Sequence, residues 1–472
     1  MSQCACGMSW VKFGLLAVLA GGGAVAGLYI AEQSPSPSTV LPSCCEEPPT
    51  ACVPVAPVPL LQHRFPLTGL DAKDAQEAPE LTVNCCGKLF LAWGSKTSET
   101  ERTVFLTRST DDGKSFDAPK EISKAGIYKT PGKGKAGGHE RRATPHLAAM
   151  GKEVQLSWNE ALADGSAMRT VLATSNDTGA TFGPPQAVHS SEGAKPSFTA
   201  FARAPGGLLG CVWLDERNGT QQVFASVRPD EAPAFNPEQL VHQGQPGKGV
   251  CPCCPTAAAF AADGTLYVAF RNVNDGYRDI AVSRLRPGQS AFEGPFSVVE
   301  KTWKFDGCPH DGPSLAVVRD TLHVVWMDAR QGPQRVYHAQ AKLADMKFEA
   351  KELNASAPGT QGNPKLSVDM SGNLHAVWEE SIGGEPVSEG HQHGPPKVGG
   401  AGGRAVQYAS IPAGQTAFGT VRAVAPKAGA FQTRPSVAGS SKGVFIAWNE
   451  LDTTGKAVVV TQLPQATEGC CK

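Results

Sequence analysis

Two cysteine-rich segments carry the most distinctive chemistry in this sequence. One reads Cys-Pro-Cys-Cys-Pro at residues 251–255, and the other reads Gly-Cys-Pro-His-Asp-Gly-Pro at residues 307–313. Thiolate and imidazole groups are ligands that copper and zinc prefer. The two segments therefore offer a metal site, whose candidate ligands are Cys251, Cys253, Cys254, Cys308 and His310.

Two other interpretations of these cysteines stay open. In an oxidising compartment the same residues would form disulfides that brace the loops. A redox or nucleophilic thiol is the third interpretation, and it requires a depressed thiol pKa. Adjacent cysteine pairs also occur near both ends of the chain. A disulfide from the N-terminal group to Cys470 or Cys471 would join the two ends, although the sequence does not reveal the connectivity.

A second group of candidates consists of acids and arginines that follow or precede predicted strands. Glycoside hydrolysis uses paired carboxylates, and arginine binds a substrate carboxylate through two parallel hydrogen bonds. The candidate acid/base residues are Asp215, Glu216, Asp328 and Glu379. The candidate substrate-binding residues are Arg142, Arg271, Arg330 and Arg434.

The elements that must position these residues are copies of one repeat. From about residue 65 onward, a Pro opens a short strand, a Gly-containing turn follows, and a second apolar strand ends near an aromatic residue. The opening prolines are Pro79, Pro145, Pro196, Pro255, Pro313, Pro364 and Pro435. The matching aromatic residues are Trp93, Trp158, Trp213, Phe270, Trp326, Trp378 and Trp448.

Each repeat continues with a third strand, such as residues 103–106 or 336–339, a turn closed by Phe, and a short fourth strand. Four short strands at this period indicate the blades of an all-β propeller built from four-stranded antiparallel sheets. Seven blades are favoured and six are the alternative. The seventh copy ends after its third strand, so we expect the stretch near Phe65 to supply the missing strand and close the ring.

Two turns between third and fourth strands match the Asp-box pattern, S/T-x-D-x-G-x-S/T-aromatic. Their residues are Ser109, Asp111, Gly113 and Phe116 in the first copy, and Ser175, Asp177, Gly179 and Phe182 in the second. We expect the Asp carboxylate to accept backbone N–H groups and the Gly to adopt a positive φ. With these motifs the chain resembles the sialidase-like, Asp-box propellers over nearly everything after residue 65.

The resemblance implies a structural role for the Asp-boxes and, if the protein is an enzyme, a sialidase-type exo-glycoside hydrolase. The early Phe/Tyr-Arg-Ile-Pro motif of family sialidases is missing, and its nearest counterpart is Glu-Arg-Arg-Ala-Thr-Pro at residues 140–145. The Cys-x-Cys-Cys-Pro motif, the Arg278-Asp279 pair and the Trp303 that precedes the second cysteine segment resemble a bacterial subgroup of sialidase-like proteins. Whether the protein is catalytic therefore stays open.

In propellers of this construction, the loops that enter first strands and leave second strands meet on one face. The two cysteine segments occupy equivalent entry loops of consecutive repeats, so we expect them to be neighbours. A Gly/Pro-rich insertion at residues 383–403 carries His391 and His393 and is expected over the same face.

The N-terminus predicts export. Residues 13–30 form an apolar stretch after a short segment at 1–12, and a Pro/Cys-rich linker at 31–63 leads to the propeller at 64–472. We expect 13–30 to be an uncleaved membrane anchor with the propeller outside the cytoplasm, in the cell envelope. A cleaved signal, and thus a secreted or periplasmic protein, is the alternative.

The overall charge restricts the partners. The 43 basic and 44 acidic residues nearly balance, so nucleic acid is not expected as a partner. We therefore predict an exported propeller that binds a glycan or a small acidic ligand on the entry-loop face. The alternatives are a scaffold with a disulfide-braced mouth, which needs no cofactor, and a copper- or zinc-binding protein.

Overall fold

A computed structural model describes residues 61–67, 70, 78–129, 140, 144–191, 193–355, 357–383, 398 and 402–463. They belong to a compact unit that spans Pro54–Lys472. The described residues form 28 β-strands and no α-helix, which confirms the all-β prediction. None of them lies in a helix long and apolar enough to cross a membrane.

The strands form consecutive four-stranded antiparallel units, numbered here as sheets 1 to 7. Sheet 1 contains β2 (Glu80–Val83), β3 (Leu89–Lys96), β4 (Glu101–Ser109) and β5 (Lys120–Gly126). Sheet 2 contains β6 (His146–Met150), β7 (Glu153–Ala161), β8 (Met168–Ser175) and β9 (Gln186–Ala187). Sheet 3 contains β10 (Ser197–Arg203), β11 (Leu209–Asp215), β12 (Gln222–Arg228) and β13 (Gln239–His242).

The next two sheets have the same order. Sheet 4 contains β14 (Ala257–Phe260), β15 (Leu266–Arg271), β16 (Ile280–Leu285) and β17 (Glu293–Ser297). Sheet 5 contains β18 (Ser314–Val318), β19 (Thr321–Asp328), β20 (Arg335–Lys342) and β21 (Glu349–Glu352).

Sheets 6 and 7 are joined by one parallel residue pair, Arg404 with Phe431. Sheet 6 contains β22 (Gln361–Val368), β23 (Leu374–Ile382), β24 (Gly403–Ile411) and β25 (Arg422–Ala423). Sheet 7 contains β26 (Phe431–Ser440), β27 (Gly443–Asp452), β28 (Gly455–Leu463) and β1 (Gln62–Pro66).

The N-terminal strand completes the last sheet, as predicted. β1 pairs antiparallel with β28, with Phe65 opposite Val458. Phe65 also stacks on Trp93 of sheet 1, with ring centroids 5.5 Å apart. The strand begins at Gln62, two residues before the predicted start of the propeller at residue 64.

The first strands of the sheets touch one another in cyclic order. β2 contacts β6, and the contacts continue through β10, β14, β18, β22 and β26 back to β2. Each neighbouring pair of sheets shares a hydrophobic core. Between sheets 4 and 5, for example, Trp326 packs in one cluster with Tyr267 and Val282. Burial of these apolar faces, with one face of each sheet against the next, is the main stabilising term of the fold.

The prolines mark the first strands, but not always their first residue. Pro364 and Pro435 lie inside β22 and β26, where the pairing register shifts. A bulge leaves a residue out of the hydrogen-bonding ladder, so a residue without an N–H group is tolerated there. The aromatic residues occupy the second strands in every sheet, as the repeat predicts.

Both Asp-boxes form the predicted local hydrogen bonds. Asp111 accepts the backbone N–H of Ser115 at 2.9 Å, and Asp177 accepts that of Thr181 at 2.8 Å. The glycines at positions 113 and 179 have φ values of 80° and 74°. The Ser109 and Ser175 hydroxyls accept the N–H groups of those glycines. Phe116 and Phe182 pack against the cores between sheets.

Candidate functional site: a cluster of four thiols and an imidazole

The two cysteine segments lie against each other, as their equivalent positions predict. Cys251 is held at the end of β15, because its backbone N–H donates to the carbonyl of Arg271 at 3.1 Å. A Cβ added at Gly312 would lie 2.1 Å from the carbonyl oxygen of Pro255. The two loops therefore approach closely through their backbones, and a side chain at position 312 would separate them.

Three of the sulfurs are buried and mutually close. The Sγ of Cys251 lies 3.4 Å from that of Cys254 and 3.7 Å from that of Cys253, and the latter two are 4.0 Å apart. These side chains are among the least exposed in the chain, with relative exposures of 1%, 6% and 2% for Cys251, Cys253 and Cys254. Cys308 packs against the same cluster.

The five candidate ligands fall into two triads that share one residue. Cys251, Cys253 and Cys254 form the inner triad, and Cys253, Cys308 and His310 form the outer triad. Within each triad all ligand atoms lie within 4.8 Å of one another. Cys308 is half-buried and His310 is exposed, so the outer triad faces solvent.

The disulfide interpretation is wrong for the described cysteines. All seven of them carry free thiols, including the four at this cluster. A disulfide requires sulfurs about 2.05 Å apart. The separations of 3.4 to 4.0 Å in the inner triad exceed that distance by well over 1 Å. Cys470 and Cys471, which were expected to join the chain ends, lie outside the described residues, as does the N-terminal cysteine group.

Two arginines lie beside the sulfurs. Arg278 donates to the Sγ of Cys251 at 3.7 Å and to the carbonyl of Phe305. Arg271 is 1% exposed, and its four side-chain hydrogen bonds go to backbone carbonyls of Asp311, Arg278 and Met327. No carboxylate of the described residues forms an ion pair with either guanidinium.

The remaining residues that the sequence placed in this region support the loop. Asp279 accepts the backbone N–H of Thr302 at 3.0 Å and its hydroxyl at 2.9 Å. The Trp303 carbonyl accepts the backbone N–H of Arg278, and the Arg271 guanidinium lies over the Trp303 indole at 5.5 Å. These contacts fix the segment that leads to Cys308.

The four thiols differ in pKa because their surroundings differ. Hydrogen bonds from Cys253 and Cys254, with the two arginines nearby, hold the pKa of the Cys251 thiol well below its usual range. Burial raises the pKa of Cys254, and the hydrogen bond with Cys251 raises that of Cys253. A hydrogen bond from Cys253 lowers the pKa of Cys308 to about 7. Negative charge is thus favoured on Cys251, next to Arg278.

Asp311 belongs to a different neighbourhood, although it follows His310 directly. Its Oδ2 accepts the backbone N–H of Asn363 at 2.6 Å, which ties the loop to sheet 6. Its Oδ1 is buried without a hydrogen-bond partner among the described residues. Burial raises the pKa of this carboxyl group to about 6. It does not join either triad of ligands.

Two of the proposed catalytic acids have structural roles instead. Asp328 accepts the Trp326 indole N–H at 3.0 Å and pairs with Arg330, and it is 1% exposed. Asp215 accepts the Trp213 indole N–H at 3.0 Å and pairs with Arg217, and it is fully buried. A carboxylate that is enclosed and already paired cannot reach a substrate without breaking these contacts.

The same contact recurs in five sheets, and we call it the tryptophan latch. In each, the indole N–H at the end of the second strand donates to the carboxylate two residues later. The five pairs are Trp158–Glu160, Trp213–Asp215, Trp326–Asp328, Trp378–Glu380 and Trp448–Glu450. Sequence reasoning missed this role, yet the signal was present, because residues i and i+2 of a strand point to the same face.

The other acid candidates are also engaged. Glu379 accepts Arg404 at 2.5 Å and the backbone N–H of Arg434 at 2.7 Å, and it is 5% exposed. Glu216 accepts the side-chain amide of Gln221 at 3.0 Å. Glu379 is therefore enclosed like Asp215 and Asp328, whereas Glu216 is half-buried.

The arginine clamp stays a prediction, and the three of its arginines that the structure describes differ in their surroundings. Arg330 pairs with Asp328 and lies 4.0 Å over the Tyr337 ring, and Arg271 is buried at the cysteine loops. Arg434 is half-buried at the bulge of β26 with a φ of 53°. Arg142 lies outside the described residues, as do His391, His393 and the apolar segment at 13–30. Export therefore stays a prediction.

The sequence matches no protein-family model and no curated protein. Solved structures do resemble it. The β-propeller domain of the Trilobed protease from Pyrococcus furiosus is 8% identical, with a TM-score of 0.45 over 82% of this chain and 96% of that one. An α-L-arabinanase from Penicillium chrysogenum, solved with arabinobiose, is 13% identical, with a TM-score of 0.43 over 86% and 97%.

A sialidase from Trypanosoma rangeli, solved with the inhibitor DANA, is 11% identical, with a TM-score of 0.40 over 71% of this chain and 57% of that one. Because these TM-scores are below 0.5, the likenesses carry no argument about activity. The strand pairing and the contacts between sheets define the fold. Glycan binding and glycosidase activity stay predictions.

Proposed function

We propose that this protein is a metalloprotein that binds a soft d10 ion, with Cu(I) as the preferred ion, through the thiolates of Cys251, Cys253 and Cys254. The observation that carries the proposal is the convergence of three buried sulfurs within 4.0 Å of one another. Burial and soft donors together favour a bound ion over a solvent-exposed reactive thiol.

The sulfur separations suit a shared ion. With a metal–sulfur bond of about 2.3 Å, sulfurs around one ion lie about 3.8 to 4.0 Å apart in tetrahedral or trigonal arrangements. The inner triad spans 3.4 to 4.0 Å, so small side-chain movements would bring all three sulfurs into a coordination sphere. Each thiol would lose its proton on binding.

The charge of the surroundings supports an anionic centre. A buried charge is costly unless it is paired or neutralised. Arg271 is buried among backbone carbonyls, and Arg278 points at Cys251, with no carboxylate of the described residues paired to either. Asp311 and Asp328 also act on the charge of Arg271, and a thiolate-bound ion would place further negative charge beside both guanidiniums.

The ligand number favours copper over zinc. Structural zinc sites are almost always four-coordinate and tetrahedral. The inner triad offers three thiolates, and soft thiolate ligands select Cu(I). A zinc ion would need a fourth ligand from outside this triad.

The test is an anaerobic titration of the reduced protein with Cu(I) in the presence of a colorimetric Cu(I) chelator, followed by gel filtration and metal analysis. Wild type is expected to retain at least one ion per chain. A variant with Cys251, Cys253 and Cys254 all changed to Ser is expected to lose the inner-triad ion, while the control Cys85→Ser, a half-buried thiol in the turn after β2, is expected to match wild type. Absence of retained copper in wild type, or equal retention in all three proteins, would contradict the proposal.

We also propose that the seven sheets form one closed ring of seven blades. The cyclic contacts of the first strands and the pairing of β1 with β28 support this count. Phe65→Asp would place a charge against Trp93 and Phe116, so we expect a loss of about 2 kcal/mol or more in the free energy of unfolding. The control is Leu61→Asp, because Leu61 precedes β1 and is 44% exposed. Equal unfolding midpoints in urea for the two variants would overturn the closure.

A further inference from the structure

The two triads of ligands extend the proposed function, on which this inference rests. We propose that the cluster holds two Cu(I) ions rather than one, with the Cys253 thiolate bridging them. The inner ion would be bound by Cys251, Cys253 and Cys254, and the outer ion by Cys253, Cys308 and His310.

The arrangement of the ligands favours two positions. All three ligand atoms of each triad lie within 4.8 Å of one another, and the five atoms gather as two triads rather than as one group. Cys253 is the residue common to both triads, and a thiolate sulfur has lone pairs for two metal ions. Two ions therefore account for all five ligands, whereas one ion in the inner triad leaves Cys308 and His310 unused.

The charges are consistent with this occupancy. Four thiolates and two Cu(I) ions carry a net charge of minus two, which the guanidiniums of Arg271 and Arg278 neutralise. One Zn(II) on four thiolates would have the same net charge, so charge alone does not select the metal. The separation of the five ligands into two triads is what favours two ions with low coordination numbers.

The two positions differ in access to solvent. The inner triad is closed, since Cys251, Cys253 and Cys254 are each at most 6% exposed. The outer triad ends at the exposed side chain of His310. The outer ion should therefore exchange with a soluble Cu(I) carrier or chelator, while the inner ion is retained. The geometry assigns an exchangeable position to the outer triad.

The experiment measures copper per chain on the reduced full-length protein loaded with Cu(I), and then the time course of its removal by bathocuproine disulfonate. Wild type is expected to bind two ions and to release them in two phases of equal amplitude. His310→Ala and Cys308→Ser are each expected to bind one ion, which leaves in the slow phase only. Cys253→Ser is expected to retain neither ion at a chelator concentration that wild type withstands.

The outcomes separate the two proposals. One ion in wild type, unchanged in Cys308→Ser, would overturn the two-ion site and leave the inner-triad proposal intact. No ion in wild type would overturn both. Two ions in wild type that persist in Cys308→Ser and His310→Ala would place the second ion elsewhere and overturn the outer site. Circular dichroism of each variant, with Cys85→Ser as control, tests whether the fold is retained. A Zn(II) titration that yields one tightly held zinc ion, with no copper retained in the Cu(I) experiment, would also contradict the inference.

Discussion

Arg271 ends the second strand of sheet 4 and Arg330 follows the second strand of sheet 5, yet the surroundings of the two arginines differ. Arg330 pairs with Asp328 and stacks on Tyr337, so its charge is balanced within its own loop. Arg271 is fully buried and donates to carbonyl groups alone. Its charge interacts with the sulfurs of Cys254 and Cys251 and, less strongly, with the carboxylates of Asp311 and Asp328. The first arginine is paired directly with a carboxylate, whereas the second forms no ion pair with a carboxylate of the described residues.

The difference follows from the residues at one repeated position. Sheet 5 has Trp326 followed two residues later by Asp328, and these form a tryptophan latch. Sheet 4 has Phe270 followed by Asn272, so both the indole donor and the carboxylate are missing. Sheet 1 also has no carboxylate at this position, because Trp93 is followed two residues later by Ser95. Sheet 4, whose entry loop carries Cys251, Cys253 and Cys254, is the sheet in which the aromatic residue is Phe rather than Trp.

The largest expected effect comes from breaking a latch. Asp328→Ala would leave the Trp326 indole N–H and the Arg330 guanidinium without their buried acceptor. We expect the free energy of unfolding to fall by about 3 kcal/mol. Urea denaturation measures this change, and Asp320→Ala is the control, because Asp320 forms an exposed pair with Lys342. Copper per chain is expected to stay at the wild-type value, and a loss of copper in the folded variant would show that latch and cluster are not independent.

An intermediate effect is expected from the buried arginine of the cluster. Arg271→Met removes a positive charge next to the thiolates, so Cu(I) affinity should fall about tenfold, which corresponds to about 1.4 kcal/mol. Arg271→Lys keeps the charge and is expected to lose less affinity than Arg271→Met. Competition with a Cu(I) chelator measures both affinities. Equal affinities in wild type and Arg271→Met would mean that the charge balance at the cluster has another source.

The smallest expected effect concerns the first Asp-box, an exposed turn that belongs neither to a tryptophan latch nor to the cysteine cluster. The pKa of Asp111 is lowered to about 2, because Ser115 donates its hydroxyl and its N–H to the carboxylate and Ser109 donates a third hydrogen bond. The stabilisation from the ionised form is therefore present above about pH 4, the ordinary range for Asp, and is lost as the pH falls toward 2.

This pH dependence can be measured by comparing variants. We expect Asp111→Asn to lower the urea midpoint at pH 6 and to converge with wild type as the pH approaches 2. Asp112→Asn is the control, because the Asp112 side chain accepts no hydrogen bond among the described residues and Asn tolerates its φ of 60°. A difference between Asp111→Asn and wild type that does not change with pH would contradict the assignment.

Much of the architecture was predictable from the sequence because it depends on local periodicity. The Pro-to-aromatic spacing located the first and second strands of all seven repeats, and the incomplete last copy predicted the role of the strand near Phe65. The latch was predictable by the same rule, since Trp326 and Asp328 must share a strand face.

The sequence by itself determined that Cys251 and Cys308 would stand at equivalent loops and be neighbours, because repeats place equivalent positions side by side. Only the tertiary structure decided how the five ligands group. Loops have no periodicity that relates side-chain directions, so the separations of 3.4 to 4.0 Å among the inner sulfurs depend on the close backbone approach at Gly312 and on the packing around Arg271. The same packing places Arg271 among carbonyls rather than carboxylates, which no spacing in the sequence expresses.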